Sequence, residues 1–484
     1  MSERTVPDPS QLHRFTRIGR RFAVHVPTGR FAQLSPDADL VLDGLARDER
    51  PAPAPEVAAA LDELARHFDE PDEDRGPAQP APMTDLTLNI SAGCDLACRY
   101  CWNNRGLYGG EMAGRMTPKV ACDAVDLLVR ASNGHPSLVV DFYGGEPLLN
   151  LPVMKAAVEH CRAHYPDRRF SFLLATNGVH LSPENAAWLH DNGVNVALSI
   201  DGGKEVQDRQ RPLANGSGSY DRIAACLAQL PAHVRADYVA RATLTPDGPG
   251  PLEAWHQLHD MGFRRIEVFE SEPACFYGTD YPPGDFFVAM ADRDRLMAGY
   301  EALLVELAHR IAAGELGYED LFFSRLFKQM ARLYRSGDFE GPCAAGTGQI
   351  AVSQDGTAYP CTAFIGQDTW RMGTVGAGLD ASVQRRLLDT DITQSDACQS
   401  CWAMRLCLGS GSCYNLSHLN LGRIDEPVEA FCELYRRKIE LLIAGLALLQ
   451  DEAPEAFDRL FDEDNFTDRS AWRASTAAGE VADG

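Results

Sequence analysis

Residues 94–102 read CDLACRYCW, which sets Cys94, Cys98 and Cys101 within eight positions. Thiolates are soft, metal-seeking ligands, and a closed structural zinc site takes four ligands rather than three. A [4Fe–4S] cluster can be held at three corners by three thiolates, which leaves its fourth iron open to a ligand from outside the chain. The stretch therefore poses a choice between zinc chemistry completed elsewhere and an iron–sulfur cluster with one open corner.

The setting is an ordinary globular composition. The 484 residues, 45% hydrophobic and 24% charged, suffice for two or three domains with sizeable cores. A formal net charge of −24 argues against nucleic acid or an anionic membrane as the main partner, because polyanions are repelled. No apolar run approaches the roughly 18–20 residues that span a bilayer, and the N-terminal MSERTVPDPS lacks a signal-peptide core. The expected location is cytoplasmic. Thiols stay reduced there, so fourteen cysteines read as metal ligands before disulfides.

Working outward from the cysteines, LTLNIS (86–91), SLVVDFYGGEP (137–147), FSFLLATNG (170–178), VNVALSIDG (194–202), YVARATLT (238–245) and RIEVFE (265–270) read as strands separated by helical patterns. Such alternation predicts a parallel sheet covered by helices. Six repeats predict an α/β fold of the partial (β/α)6 TIM-like kind, with its site in the loops after the strand C-termini. CDLACRYCW follows the first strand and so lies at the mouth of this barrel. The chain divides into a small N-terminal α+β unit (1–68) whose hairpin turns at Pro27–Gly29, a linker (69–83), the barrel (84–285), a helical bridge (286–340), a cysteine-rich irregular region (341–450) and an acidic tail (451–484) expected to be disordered.

The cysteine spacing, with Tyr100 just before the third thiol, resembles the radical S-adenosylmethionine (SAM) superfamily. The resemblance implies that the amino and carboxylate groups of SAM chelate the open iron. An electron from the cluster then cleaves the sulfonium, and the 5′-deoxyadenosyl radical abstracts hydrogen. GGEP (144–147) resembles the family's SAM-binding motif, with Gly144 and Gly145 admitting backbone groups to the methionine amine and Glu146 accepting from it. In LSIDG (198–202), Ser199 resembles a SAM contact, and Arg211 in DRQRP resembles the residue that grips the SAM carboxylate. Tyr100 is implied near the adenine. Asn177 in TNG reads equally as a contact or as a turn former.

Seven more cysteines, Cys343, Cys361, Cys398, Cys401, Cys407, Cys413 and Cys432, fall within ninety residues. Zinc ribbons use such thiols, but the pattern resembles the SPASM domain of radical SAM peptide maturases, which implies two auxiliary [4Fe–4S] clusters and three clusters in all. On that resemblance Cys398, Cys401, Cys407 and Cys432 hold one cluster completely, and Cys343, Cys361 and Cys413 hold the other by three thiols. The gap from Cys407 to Cys413 is longer than usual, and no cysteine shortly precedes Cys343. The second cluster therefore keeps an open iron or takes a distant ligand such as Cys275. Cys122, Cys161 and Cys226 lie on predicted helices and read as core thiols.

Over residues 84–440 the chain resembles maturases that build thioethers, those of the "six cysteines in forty-five residues" peptides and of quinohemoprotein amine dehydrogenase. This implies an oxidoreductase that modifies a ribosomally made, leader-bearing peptide or protein and takes electrons from a donor such as flavodoxin or ferredoxin. A Cys thioether is the leading product; carbon–carbon crosslinking, epimerisation and formylglycine formation are the alternatives. Sulfatase maturases carry an Asp directly after the equivalent of Cys361, where this chain has Thr362. The N-terminal unit suits leader capture by strand addition. An iron–sulfur sensor or scaffold is the non-enzyme alternative, against which GGEP and Ser199 argue, since a sensor needs no SAM pocket.

Overall fold

The computed structural model of the chain describes residues 6–49, 53–69, 82–108, 114–271, 292–335, 343–407 and 413–462. A three-stranded antiparallel sheet comes first: β1 (Leu12–Arg17), β2 (Arg20–His25) and β3 (Phe31–Leu34). Six strands then pair in parallel and in chain order: β4 (Asp85–Ser91), β5 (Ser137–Gly144), β6 (Arg169–Thr176), β7 (Val194–Ser199), β8 (Val239–Leu244) and β9 (Arg265–Glu270). Side chains alternate across each strand. Leu86, Leu88, Ile90, Val140, Phe142, Leu174 and Leu198 are buried in the main core. Asn89, Tyr143, Ser199 and Arg241 alternate with these apolar positions and belong to the opposite, polar face.

The covering helices start where local chemistry dictates. Ser35, Thr117 and Ser182 each accept a backbone N–H from the first turn and are each followed by proline, opening helices Pro36–Ala46, Pro118–Ala131 and Pro183–Asp191. A hydroxyl cap satisfies an orphan donor, and proline at the first helical position sacrifices no hydrogen bond.

The cysteine-rich region, expected to be irregular, extends the sheet. β10 (Gln349–Val352) pairs in parallel with β4, and β11 (Thr357–Tyr359), β12 (Gly373–Thr374) and β13 (Gly378–Leu379) continue it antiparallel into ten strands. These strands are too short to show alternation in the sequence. A second correction concerns the tail. Helix Glu429–Glu452 runs past residue 451, and a further helix, Pro454–Leu460, follows it. Phe457, Leu460 and Phe461 are buried in the main core, whereas Asp451, Glu452 and Glu455 face solvent. Averaged composition hides such an amphipathic pattern, because the acidic residues all lie on the outer face. Residues 463–484 lie outside the described part.

Helix Glu429–Glu452 ties the parts together. His13 and Arg17 of β1 pair with Glu440 at 2.9 and 2.8 Å, and His13 stacks on Trp402 with ring centroids 3.7 Å apart. Lys438 pairs with the buried Glu270 at the end of β9, and the Tyr300 hydroxyl donates to the same carboxylate at 2.8 Å. Among the described residues no helix is long and apolar enough to cross a membrane.

Burial raises the Glu270 carboxyl pKa, but the charge and hydrogen bond of Lys438 more than offset this and hold it below the ordinary glutamate value. A carboxylate with a depressed pKa contributes stability above its unfolded pKa, which is lost as pH falls through the folded one. Lys438→Met leaves that carboxylate without its counter-charge and should cost about 3–5 kcal/mol at neutral pH in denaturant unfolding, with a smaller difference from the parent in acid.

Candidate active site

The Cys94–Cys101 loop is held from two sides by backbone hydrogen bonds. On one side Gly145 N donates to Ser91 O at 2.8 Å, Glu146 N to Gly93 O at 2.9 Å and Gly93 N to Arg105 O at 2.9 Å. On the other, Ala97 N donates to Pro212 O at 2.8 Å, Arg99 N to Gln210 O at 3.0 Å and Ala214 N to Asp95 O at 2.6 Å. The turn after β5 and the segment 210–214 thus grip the loop between them. Glycine is required at position 145: a Cβ there would stand 2.1 Å from Gly93 O and 2.3 Å from Arg105 O.

The three sulfurs meet protein donors. Leu96 N and Asn177 Nδ2 lie 3.4 and 3.5 Å from Cys94 Sγ, Arg105 N lies 3.1 Å from Cys101 Sγ, and Arg211 Nη1 lies 3.9 Å from Cys98 Sγ. Burial pushes Cys94 and Cys98 up to about 12. The charge of Cys98 adds to the shift at Cys94, while Arg211 works against it at Cys98. Burial raises Cys101 as well, with Cys94 adding. The three thiols therefore lie within electrostatic reach of one another, and each resists ionisation until a cation arrives. Such a soft donor set, with amide hydrogens aimed at the sulfur, fits a thiolate-held iron–sulfur cluster.

The residues expected around SAM lie at this end of the sheet, and two of them, Glu146 and Tyr100, bond protein groups. Glu146 is fully buried, and its carboxylate accepts from Leu148 N at 2.9 Å, Thr176 Oγ1 at 2.8 Å and Asn177 N at 2.8 Å. Three of its roughly four acceptor positions serve the protein, so it chiefly locks the β5 turn to the end of β6. Tyr100 donates its hydroxyl to Asp201. Arg211 lies 3.1 Å from Asp201 and 5.1 Å from the Tyr100 ring centroid. Ser199 closes β7 in register with Arg241, and Gly144 closes β5 with φ +138°. Asn177 is both turn former and sulfur contact: its Oδ1 accepts from Val179 N at 2.9 Å. Sequence reading passed over Asp201, although it stands within the quoted LSIDG, because one carboxylate among sixty-nine acidic residues carries no visible signal of burial.

The remaining thiols gather in two groups. Burial raises Cys361, with the charges of Cys343 and Cys413 adding. Burial pushes Cys432 up to about 12, with Cys407 and Cys398 contributing, and Arg436 of the same helix bonds Cys401. Cys343, Cys361, Cys398, Cys401 and Cys432 are free thiols. Cys343 and Cys361 pack with Trp102 against one apolar cluster that includes Tyr108, Phe364 and Trp370. Cys275 lies outside the described residues. Cys161 is buried in the core, and Cys122 and Cys226 lie 3.9 and 3.8 Å from helix and loop carbonyls. Among the described residues, no group of three or more His, Cys, Asp or Glu side chains is gathered closely enough to hold a single metal ion.

Comparison with known proteins sharpens these observations. Residues 88–248 match the model of the Radical SAM superfamily. A cysteine-type anaerobic sulfatase-maturating enzyme of Clostridium perfringens is 24% identical over 352 residues, covering 68% of this chain and 88% of its own. The radical SAM cyclopropyl synthase TigE of Paramaledivibacter caminithermalis is 27% identical over 376 residues, covering 74% and 73%. The solved structure "Native anSMEcpe with bound AdoMet and Cp18Cys peptide" superposes with a TM-score of 0.60 at 19% identity, covering 77% of this chain and 99% of that one.

Because Glu146 bonds three protein donors, Glu146→Gln should destabilise even the protein stripped of iron and SAM, by about 1–3 kcal/mol, since an amide NH2 then faces an N–H or hydroxyl. Urea unfolding measures this. Unchanged stability would mean that the carboxylate serves a ligand alone.

Proposed function

Because residues 88–248 are a radical SAM domain and the chain is an enzyme, we propose that it modifies a peptide or protein by hydrogen abstraction, with a Cys thioether crosslink as the product. The observation that carries this reading is the arrangement of thiols: one trio beside the β5 turn and Arg211, and a second set in which Cys343 and Cys361 pack against the same apolar cluster as Trp102 while the charges of Cys343 and Cys413 both reach Cys361. Cys94, Cys98 and Cys101 would hold a [4Fe–4S] cluster, and Gly144, Gly145, Ser199 and Arg211 would hold SAM at its open corner. When bound, this pair supplies one-electron cleavage of the sulfonium and a hydrogen-abstracting 5′-deoxyadenosyl radical.

Two auxiliary [4Fe–4S] clusters complete the reading, one on the second trio and one on Cys398, Cys401, Cys407 and Cys432. The second trio would offer an open position to a substrate thiolate. An electron donor such as flavodoxin or ferredoxin would supply the reducing equivalents. The N-terminal sheet, in which β3 pairs among the described residues with β2 alone, supports leader-peptide capture by strand addition.

Formylglycine formation is the second reading, supported by similarity to sulfatase-maturating enzymes over 68% of the chain. Thr362, which follows Cys361 and heads the short helical turn Thr362–Phe364, offers no carboxylate to take a proton and weighs against it.

Anaerobic reconstitution should load about twelve irons, and replacing Cys94, Cys98 and Cys101 together should leave about eight and abolish conversion of SAM to 5′-deoxyadenosine. Survival of that cleavage would sink the radical reading. Cys361→Ala should spare 5′-deoxyadenosine formation but remove the crosslinked product seen by mass spectrometry. Normal product from this variant would remove the thioether assignment.

A further inference from the structure

Beside Cys98 lies a buried network that the motifs do not account for. Asp201, just beyond β7, has a side chain only 1% exposed. Its Oδ1 accepts from the Thr243 amide of β8 at 2.9 Å and lies 3.1 Å from Arg211 Nε. Its Oδ2 accepts from the Tyr100 hydroxyl. The amide of Asp201 donates to Gln207 Oε1 at 2.9 Å, Gln207 Nε2 donates to Ser219 Oγ at 3.2 Å, and Ser219 Oγ donates to the Arg211 carbonyl at 2.6 Å. Asp201 thus holds Arg211 twice, by its guanidinium and, through Gln207 and Ser219, by its backbone.

Arg211 is itself only 10% exposed. A buried guanidinium without a counter-charge is strongly unfavourable, and Asp201 supplies that charge from the Nε side. The two terminal nitrogens are left facing Cys98 Sγ at 3.9 Å and Thr243 Oγ1 at 3.4 Å. Asp201 balances the guanidinium by charge, 3.1 Å from Nε and without a well-aligned hydrogen bond there, and the terminal nitrogens of the planar group keep the fork geometry that grips a carboxylate. Asp201 is sealed from solvent, so it acts through Arg211 rather than on a ligand.

We propose that Asp201 is a positioning residue: it neutralises and aims Arg211 so that the terminal nitrogens of Arg211 meet the carboxylate of bound SAM, and it couples that grip to the cysteine loop through Tyr100. The inference rests on the reading of Arg211 as the carboxylate-gripping residue and adds the residue that makes the grip work.

The test is equilibrium dialysis on the anaerobically reconstituted, unreduced enzyme with two nucleosides. S-adenosylhomocysteine carries the amino-acid carboxylate, and 5′-methylthioadenosine lacks it. Asp201→Asn keeps the size and one acceptor but removes the charge. It should weaken S-adenosylhomocysteine about tenfold, the scale of one charge-assisted contact, and leave 5′-methylthioadenosine within about twofold. Arg211→Lys should weaken S-adenosylhomocysteine comparably, and the double variant should bind no more weakly than Arg211→Lys alone, because the two residues act as one unit.

Parental affinity in Asp201→Asn, an equal loss for both nucleosides, or losses that multiply in the double variant would each overturn the proposal while leaving the reading of Arg211 standing. Parental affinity in Arg211→Lys would overturn that reading and the proposal with it. Should Asp201→Asn not fold, Tyr100→Phe removes only the hydroxyl that Asp201 accepts. It should weaken S-adenosylhomocysteine about threefold by loosening the same carboxylate, and unchanged affinity there overturns the proposal.

Discussion

Three thiols can face a common point only if the loop that carries them is held rigid, and here backbone hydrogen bonds from two neighbouring loops do the holding. The turn after β5 grips Ser91 and Gly93, and the segment 210–214 grips Asp95, Ala97 and Arg99. The first contact demands a residue without a side chain at position 145, since its Cβ position lies 2.1 Å from a carbonyl oxygen. One gripping turn follows β5, and the segment 210–214 follows the helix Lys204–Gln210 that comes after β7, so the register of the parallel sheet helps set where the sulfurs lie.

Buried charge is the second constraint. The fold encloses Asp201 with Arg211 and Glu270 with Lys438, each carboxylate also taking a tyrosine hydroxyl, from Tyr100 and Tyr300. A buried ion pair adds little net stability over an apolar pair, but losing one partner is costly, so such pairs enforce a particular arrangement. One pair orients a residue beside Cys98. The other fastens the helix that bears Cys432 to the last strand of the barrel. The same helix receives His13 and Arg17 on Glu440, so the N-terminal sheet, the barrel and the Cys398–Cys432 group share one rigid connection.

Similarity to sulfatase-maturating enzymes and to a cyclopropyl synthase is compatible with more than one product. In the proposed reading the barrel supplies a radical, and the groups around the substrate decide its fate. The thioether reading proposed above rests on Thr362, which offers no acid, and on Cys343 and Cys361, which pack with Trp102.

Much was legible in the sequence. The six strands of the barrel are each marked by an apolar run ending in a turn, and the helix starts by hydroxyl–proline pairs, because both signals are local. The cysteine spacing of 94–101 is visible in the sequence for the same reason. The short strands β10–β13 were not legible, since two to four residues cannot display a period. The folded helix Pro454–Leu460 was hidden because its acidic residues and its buried phenylalanine share one window. The roles of Glu146 and Asp201 depended on tertiary structure alone. A carboxylate is the same residue in solvent or in a core, and only the folded chain shows which donors surround it and what its charge must balance.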